Sequence, residues 1–138
     1  MDSNLLVLLG GVVSLIVGSI WYGPLFGKKW MEICGVSAMD EAKRKEMQKA
    51  AMPLYVVQFV LSLVQMYVLM GIIAYTNSFQ QGAIVAAFMW IGFIMPTVAG
   101  SSMWNNDSSK VKWARFLIQA GGNLVIMLIF GFMIGQWG

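Results

Sequence analysis

Gln58, Ser62 and Gln65 stand at i, i+4 and i+7 in an otherwise apolar run, and Arg115, Gln119 and Asn123 recur at four-residue steps near the C-terminus. On helices each trio shares one face. Amides and hydroxyls donate and accept hydrogen bonds without titrating, so the chemistry on offer is neutral recognition of a polar group. At a rise of about 1.5 Å per residue, Gln58 and Gln119 lie roughly 8–12 Å inside their helix ends, and Gln65 and Asn123 roughly 16–18 Å. Two polar faces matched in depth are expected to meet, with Thr97, Ser19 and Ser101 beside them. The outcome is either a polar cavity open to the cytoplasm or interhelical glue worth about 0.6–2 kcal/mol per bond. Arg115 sits about one turn inside its helix, where a charge is usually functional but where a long side chain also reaches phosphate headgroups as an anchor. The anchor is the expected role.

Most other chemistry is excluded. Histidine is absent, so zinc and haem sites would need unusual ligands and no Ser-His or Cys-His pair can form. The single Cys34 rules out a disulfide within one chain and reads as a reduced, inert thiol. The twelve methionines read as adaptable packing rather than copper(I) ligands. Paired carboxylates, phosphate-binding glycine loops and nucleophile motifs are missing, so no enzyme, metal or cofactor is expected. The pI near 9.2 accompanies a net charge of only +3, too little to imply nucleic acid.

The elements that must carry the polar faces follow from composition. Of the 138 residues, 59% are apolar and 11% charged, against about 25% charged in an ordinary soluble domain. No charge occurs from Ala50 to Asn106 or after Arg115. Four apolar stretches, about 5–26, 53–75, 82–104 and 111–137, reach the roughly 20 residues a membrane helix needs. Strand-like alternation is absent, so a β-barrel is not expected. The expected fold is all-α, one integral membrane domain over 1–138, built as a four-transmembrane-helix bundle. The start, Met1-Asp2-Ser3-Asn4, lacks the basic region of a signal peptide, so the first run is expected to stay as a span.

All nine basic residues fall in the 27–52 loop or at 110–115. By the positive-inside bias, loops 27–52 and 105–110 face the cytoplasm and both termini face the other side. A bias so complete disfavours antiparallel pairing of two copies. Trp21, Tyr22, Trp30, Tyr55, Trp104 and Trp113 mark the basic-loop interface, and Tyr75 and Trp137 the opposite one. Trp90 lies mid-span, so its indole N–H needs a partner on another helix. No carboxylate lies within a span, which disfavours the glutamate-dependent mechanism of small proton-coupled multidrug pumps.

Between the first two spans, Ser37 with Asp40 resembles a capping box. Asp40 and Glu41 precede Lys43, Arg44, Lys45 and Lys49 in the order a helix dipole prefers. With Met39, Ala42, Met47 and Ala50 as a weak apolar face, the segment predicts a short cytoplasmic amphipathic helix on the membrane surface, ending where Pro53 opens the second span. Within the spans, Gly10, Ser14 and Gly18, Ala83 and Ala87, and Gly131 and Gly135 are small residues at four-residue spacing. Such faces pack helices closely within one bundle or between subunits. Pro96, between Gly92 and Gly100, is expected to kink the third span.

The block Trp21-Tyr22-Gly23-Pro24-Leu25-Phe26-Gly27-Lys28-Lys29-Trp30-Met31 resembles the exit of the first span in the DUF1761 family of small bacterial membrane proteins. Trp90-Ile91-Gly92-Phe93 with Pro96-Thr97, then Arg115-Phe116-Leu117-Ile118 and Ala120-Gly121, resemble the same family in order and spacing. The resemblance implies four helical spans in a bacterial cytoplasmic (inner) membrane and implies no activity. Gly23, Pro24 and Gly27 disfavour continuous helix, while the aromatics prefer the interface, so Trp21–Trp30 is expected to turn onto the membrane surface and to offer a contact site. Two functions follow. One is a structural or accessory protein whose partners are the bilayer and a second copy in one orientation, or another membrane protein. The other is a channel or facilitator for a small polar solute.

Overall fold

The computed structural model describes residues 2–35 and 40–138, and among them every regular element is helical. Helix α1 (Ser3–Ile20) continues through a π-helical turn, Trp21–Leu25, and gives way at Phe26 to the short α2 (Gly27–Ile33). Helix α3 (Glu41–Tyr75) is followed by α4 (Gly82–Met89), a second π-helical turn (Trp90–Ile94) and α5 (Met95–Met103), which together make the third span. Helix α6 (Ser109–Trp137) closes the chain. Ser3–Leu25, Glu41–Tyr75, Phe79–Met103 and Ser109–Trp137 are each long and apolar enough to cross a membrane. The chain has the make-up of a multi-pass membrane protein.

Local chemistry sets the helix ends. The Asp40 carboxylate accepts from the Lys43 N–H at 2.8 Å, and the Ser108 hydroxyl accepts from Val111 N–H at 3.4 Å, each satisfying an otherwise orphaned donor. Gly35, at φ +77°, ends α2 in the left-handed region that favours glycine.

The predicted surface helix is not separate. Residues 41–51 are the opening turns of α3, which runs unbroken through Pro53. A proline inside a helix removes one hydrogen bond, but the turns on either side are exposed and hold their own ladder. Asp40 is the cap itself rather than the partner three residues after a capping Ser37; Ser37 and Met39 lie outside the described residues. The bend expected at Gly23-Pro24 comes later, at Phe26 (φ −123°, ψ 7°), because the π-helical turn absorbs Pro24. Gly27 must be small there, since a Cβ would stand 2.8 Å from the Tyr22 carbonyl oxygen.

Helix α6 is the spine, packed against α4, α5, α1, α3 and α2. The dry core lies in the half of the bundle nearest the termini, where Leu6, Met66, Leu69, Ile73, Ala86, Met127, Phe130 and Ile134 cluster. In lipid, close helix approach depends on small residues rather than on hydrophobic expulsion. Gly82 and Gly131 face each other so tightly that a Cβ on either would strike the other's carbonyl oxygen, and one on Gly135 would stand 2.5 Å from the Phe79 carbonyl. Ala83 joins this contact through its Cα, whereas Ala87 is only half-buried beside the fully buried Ala86. On α1, Gly10 receives the Met66 side chain, and Ser14 meets Ser62. Gly18 departs from the expected row: nothing lies within 4 Å of its Cβ position, because α1 and α3 have parted there.

The Ser14–Ser62 contact marks that parting. The Ser62 hydroxyl donates to the Gln58 carbonyl at 2.9 Å, so Ser14 donates to the Ser62 oxygen at 2.5 Å. Both serines are buried, and a double-mutant cycle of Ser14→Ala and Ser62→Ala should give a coupling energy of about 0.6–1.7 kcal/mol in detergent unfolding. A coupling of zero would mean the hydroxyls do not hold each other.

Candidate functional site

Above the Ser14–Ser62 clasp, toward the basic loops, the four spans separate around a cavity of ≈ 800 Å³. Helix α1 supplies Ser14, Gly18 and Ser19, the π-helical turn after it Tyr22, and α3 supplies Ala51, Tyr55 and Gln58. Helix α5 adds Ser101, and α6 adds Gln119, Gly122 and Asn123. The floor is the dry core described above, so the cavity is blind toward the termini. Flanking α3 is exposed on nearly all sides from Met52 to Gln58, which leaves the cavity open on that flank.

The lining is neutral: hydroxyls, carboxamides and apolar groups, with no charged side chain. Much of its hydrogen-bonding capacity is unspent. The Asn123 amide nitrogen donates to the Gln119 carbonyl at 2.9 Å, and Ser101 donates back to the Val98 carbonyl. The side chains of Gln58 and Gln119 and the hydroxyls of Ser19 and Tyr22 have no hydrogen-bond partner among the described residues. In a hydrocarbon surrounding each such group costs several kcal/mol unless water or a ligand meets it.

The polar residues singled out in the sequence divide. Gln58, Gln119 and Asn123 line the cavity together. Ser62 lies just beneath as half of the clasp. Gln65 shares the Gln58 face of α3 but stands one level lower, in an apolar hollow, because the third span opposite it presents Met89, Phe93 and Ile94 instead of Ser101. Thr97 is exposed, and its hydroxyl donates to the Phe93 carbonyl at 2.6 Å. It serves the irregular backbone around Pro96, whose ring would otherwise crowd the Gly92 carbonyl and whose influence is taken up by the π-helical turn at Trp90–Ile94.

Arg115 also lies outside the cavity. Its guanidinium pairs with the Asp107 carboxylate at 3.2 Å and rests 6.0 Å from the centre of the Trp30 ring. A cation leaving water takes the nearest carboxylate and an aromatic face, and the 105–110 loop supplies that carboxylate. The contact ties α2 to the start of α6, so both basic loops share one end of the bundle.

The Trp21–Trp30 block is packed against this chain itself. The Trp21 indole donates to the Ile118 carbonyl at 2.8 Å and packs against the Phe26 ring, tilted by 48° with centroids 4.7 Å apart. Tyr22 meets Trp30 edge-on at 5.0 Å. Gly121 and Gly122 form the seat of Trp21, for a Cβ on either would approach the indole to 3.0–3.1 Å. From the third span, the Trp90 indole donates to the Ala120 carbonyl at 2.9 Å, which is the partner its mid-span position demands. Gly82, Ala86 and Gly122 carry roles that the four-residue spacing alone did not single out. The adjacent pair Gly121-Gly122 within an apolar helix was the signal for the seat.

The family model described as "Protein of unknown function (DUF1761)" matches residues 5–135. No curated protein and no solved structure matches the chain.

Proposed function

The chain belongs to the DUF1761 family, and from that premise we propose that it binds a polar group in the neutral cavity, reached from the cytoplasmic side of a bacterial inner membrane. The observation that carries this reading is the set of unspent hydrogen-bonding side chains, Ser19, Tyr22, Gln58 and Gln119, turned toward one ≈ 800 Å³ cavity. Structural glue would spend those groups on one another. The blind floor favours a receptor or a facilitator with a second conformation over an open channel. Amides and hydroxyls without a neighbouring base or acid favour binding over catalysis. The cytoplasmic side is taken from the charge bias, which leaves both termini outside.

Cysteines placed singly at Gln58, Gln119 and Asn123, in a Cys34→Ser background, test the reading. A membrane-impermeant maleimide should label them from the basic-loop side within about tenfold of the rate at an exposed loop site, and leave a cysteine at Phe130 untouched. Protection at all three would overturn it.

A second reading, association with another copy or another membrane protein, is favoured by Gly92 and Gly100. Neither has a neighbour within 4 Å of its Cβ position, while the Gly10, Gly131 and Gly135 faces are consumed inside the chain. Cross-linking through cysteines at Gly92 and Gly100 in native membranes should trap a dimer or a heavier adduct if this face is used.

A further inference from the structure

The neutral cavity is not the bundle's only hollow. Beneath it lies an apolar hollow of ≈ 360 Å³, walled by Val64, Gln65, Val68 and Ile72 of α3, by Phe93 and Ile94 of the third span, and floored by Met127. The two hollows lie on the same lines of the same helices. On α3, Ala51, Gln58, Gln65 and Ile72 follow at seven-residue steps, a drift of only about 20° per step. On the third span, Ile94 of the lower hollow is followed at i+4 and i+7 by Val98 and Ser101 of the upper one. On α6, Ile126 lines one and Met127 the other. The two hollows share no lining residue, yet they stand one above the other along the gap between α3 and the third span. It is amide- and hydroxyl-lined toward the basic loops and hydrocarbon-lined toward the termini.

We infer that one membrane amphiphile bridges the two hollows along this gap, with an uncharged hydroxyl-bearing headgroup among Ser19, Gln58 and Gln119 and one hydrocarbon chain along Val68, Phe93 and Ile94. This rests on the polar-cavity reading and names its ligand class. The polarity of the occupant follows the polarity of the gap from end to end. The headgroup is uncharged because no cation lines the cavity: Arg115, half-buried outside it, is already paired with Asp107. A phosphate there would lose its hydration without gaining a counter-charge. Gln65 stands at the upper end of the apolar hollow, half-buried and without a hydrogen-bond partner among the described residues. Its amide meets the linkage between headgroup and chain. The exposed flank of α3 from Met52 to Val57 lets such a molecule enter sideways, without leaving the bilayer.

The probe is a monoacylglycerol carrying a diazirine in its chain, photolysed with the full-length protein in nanodiscs. Adducts should map to the Val64–Ile72 and Met89–Ile94 segments and fall at least tenfold with excess monooleoylglycerol. Val68→Trp, at an exposed position that tolerates a large side chain, should reduce them at least tenfold, and Ile94→Trp should do so independently. Maleimide labelling of the Gln119→Cys protein should stay unchanged in both variants when no amphiphile is added. Adducts spread over the outward faces of all four spans would overturn the inference. So would stronger labelling by a phosphatidylglycerol analogue, or protection of the Gln119→Cys thiol by free glycerol as well as by monooleoylglycerol. In that last case the polar cavity stands and the amphiphile does not. Failure of the maleimide to reach the cavity at all would overturn both.

Discussion

Gly131→Ala should lower the unfolding free energy of the bundle by about 3 kcal/mol, the upper part of the range for overpacking a tight interior. The added Cβ meets the Gly82 carbonyl oxygen and the Ala83 Cα, both backbone atoms fixed by the α4 ladder. Nothing at the contact can rotate away, so α4 and α6 must separate. Gly82→Ala produces the mirror-image clash, and the double variant should cost much less than the sum, because one separation relieves both. Gly18→Ala is the control: its new methyl enters open space, and helix propensity alone favours alanine by about 1 kcal/mol. The measurement is the midpoint of unfolding in mixed micelles of increasing SDS content. Equal midpoints for Gly131→Ala and Gly18→Ala would show that the glycine contact is not what joins the third and fourth spans.

Trp21→Ala should cost about 3 kcal/mol, at the low end for truncating a tryptophan because this one is half-buried. The loss combines the indole's packing on Gly121 and Gly122 with its hydrogen bond to the Ile118 carbonyl. Trp21→Phe keeps a ring in the seat and removes the donor, so it should cost about 1 kcal/mol. Because Gly122 also lines the cavity, emptying the seat should raise the maleimide reactivity of the Gln119→Cys protein severalfold, while Trp21→Phe leaves it near its starting value. A Trp21→Phe loss as large as that of Trp21→Ala would assign the effect to the hydrogen bond alone.

The spans, the segregation of charge and the membership of three cavity residues were legible in the sequence because each is a property of one helix. Length against bilayer thickness defines a span, and depth places Gln58 level with Gln119. What one helix presents to another was not legible. Gln65 shares a face with Gln58 and differs from it only in its neighbours across the gap. Gly18 belongs to the same row as Gly10 and Ser14, yet α3 has left α1 by that level. Arg115 matches Gln119 in spacing, but the nearby carboxylate of Asp107 decides its direction. The continuity of α3 through Pro53 shows the converse: a local breaker signal loses where the chain on both sides already forms helix.

That continuity has a mechanical side. The twelve residues from Glu41 to Met52 form an arm of about 18 Å, joined at Pro53 to the rest of α3 at the one place where its internal ladder lacks a rung. From Phe59 and Ser62 onward the helix is gripped by α1, whereas the arm from Glu41 to Ala50 is exposed. A change of about 10° at Pro53 sweeps the outer tip sideways by about 3 Å, roughly the width of a water molecule. The arm carries Lys43, Arg44, Lys45 and Lys49, and each basic group near an anionic lipid surface gains about 1 kcal/mol. An anionic leaflet beside the arm would thus act at the long end of a lever whose short end borders Gln58.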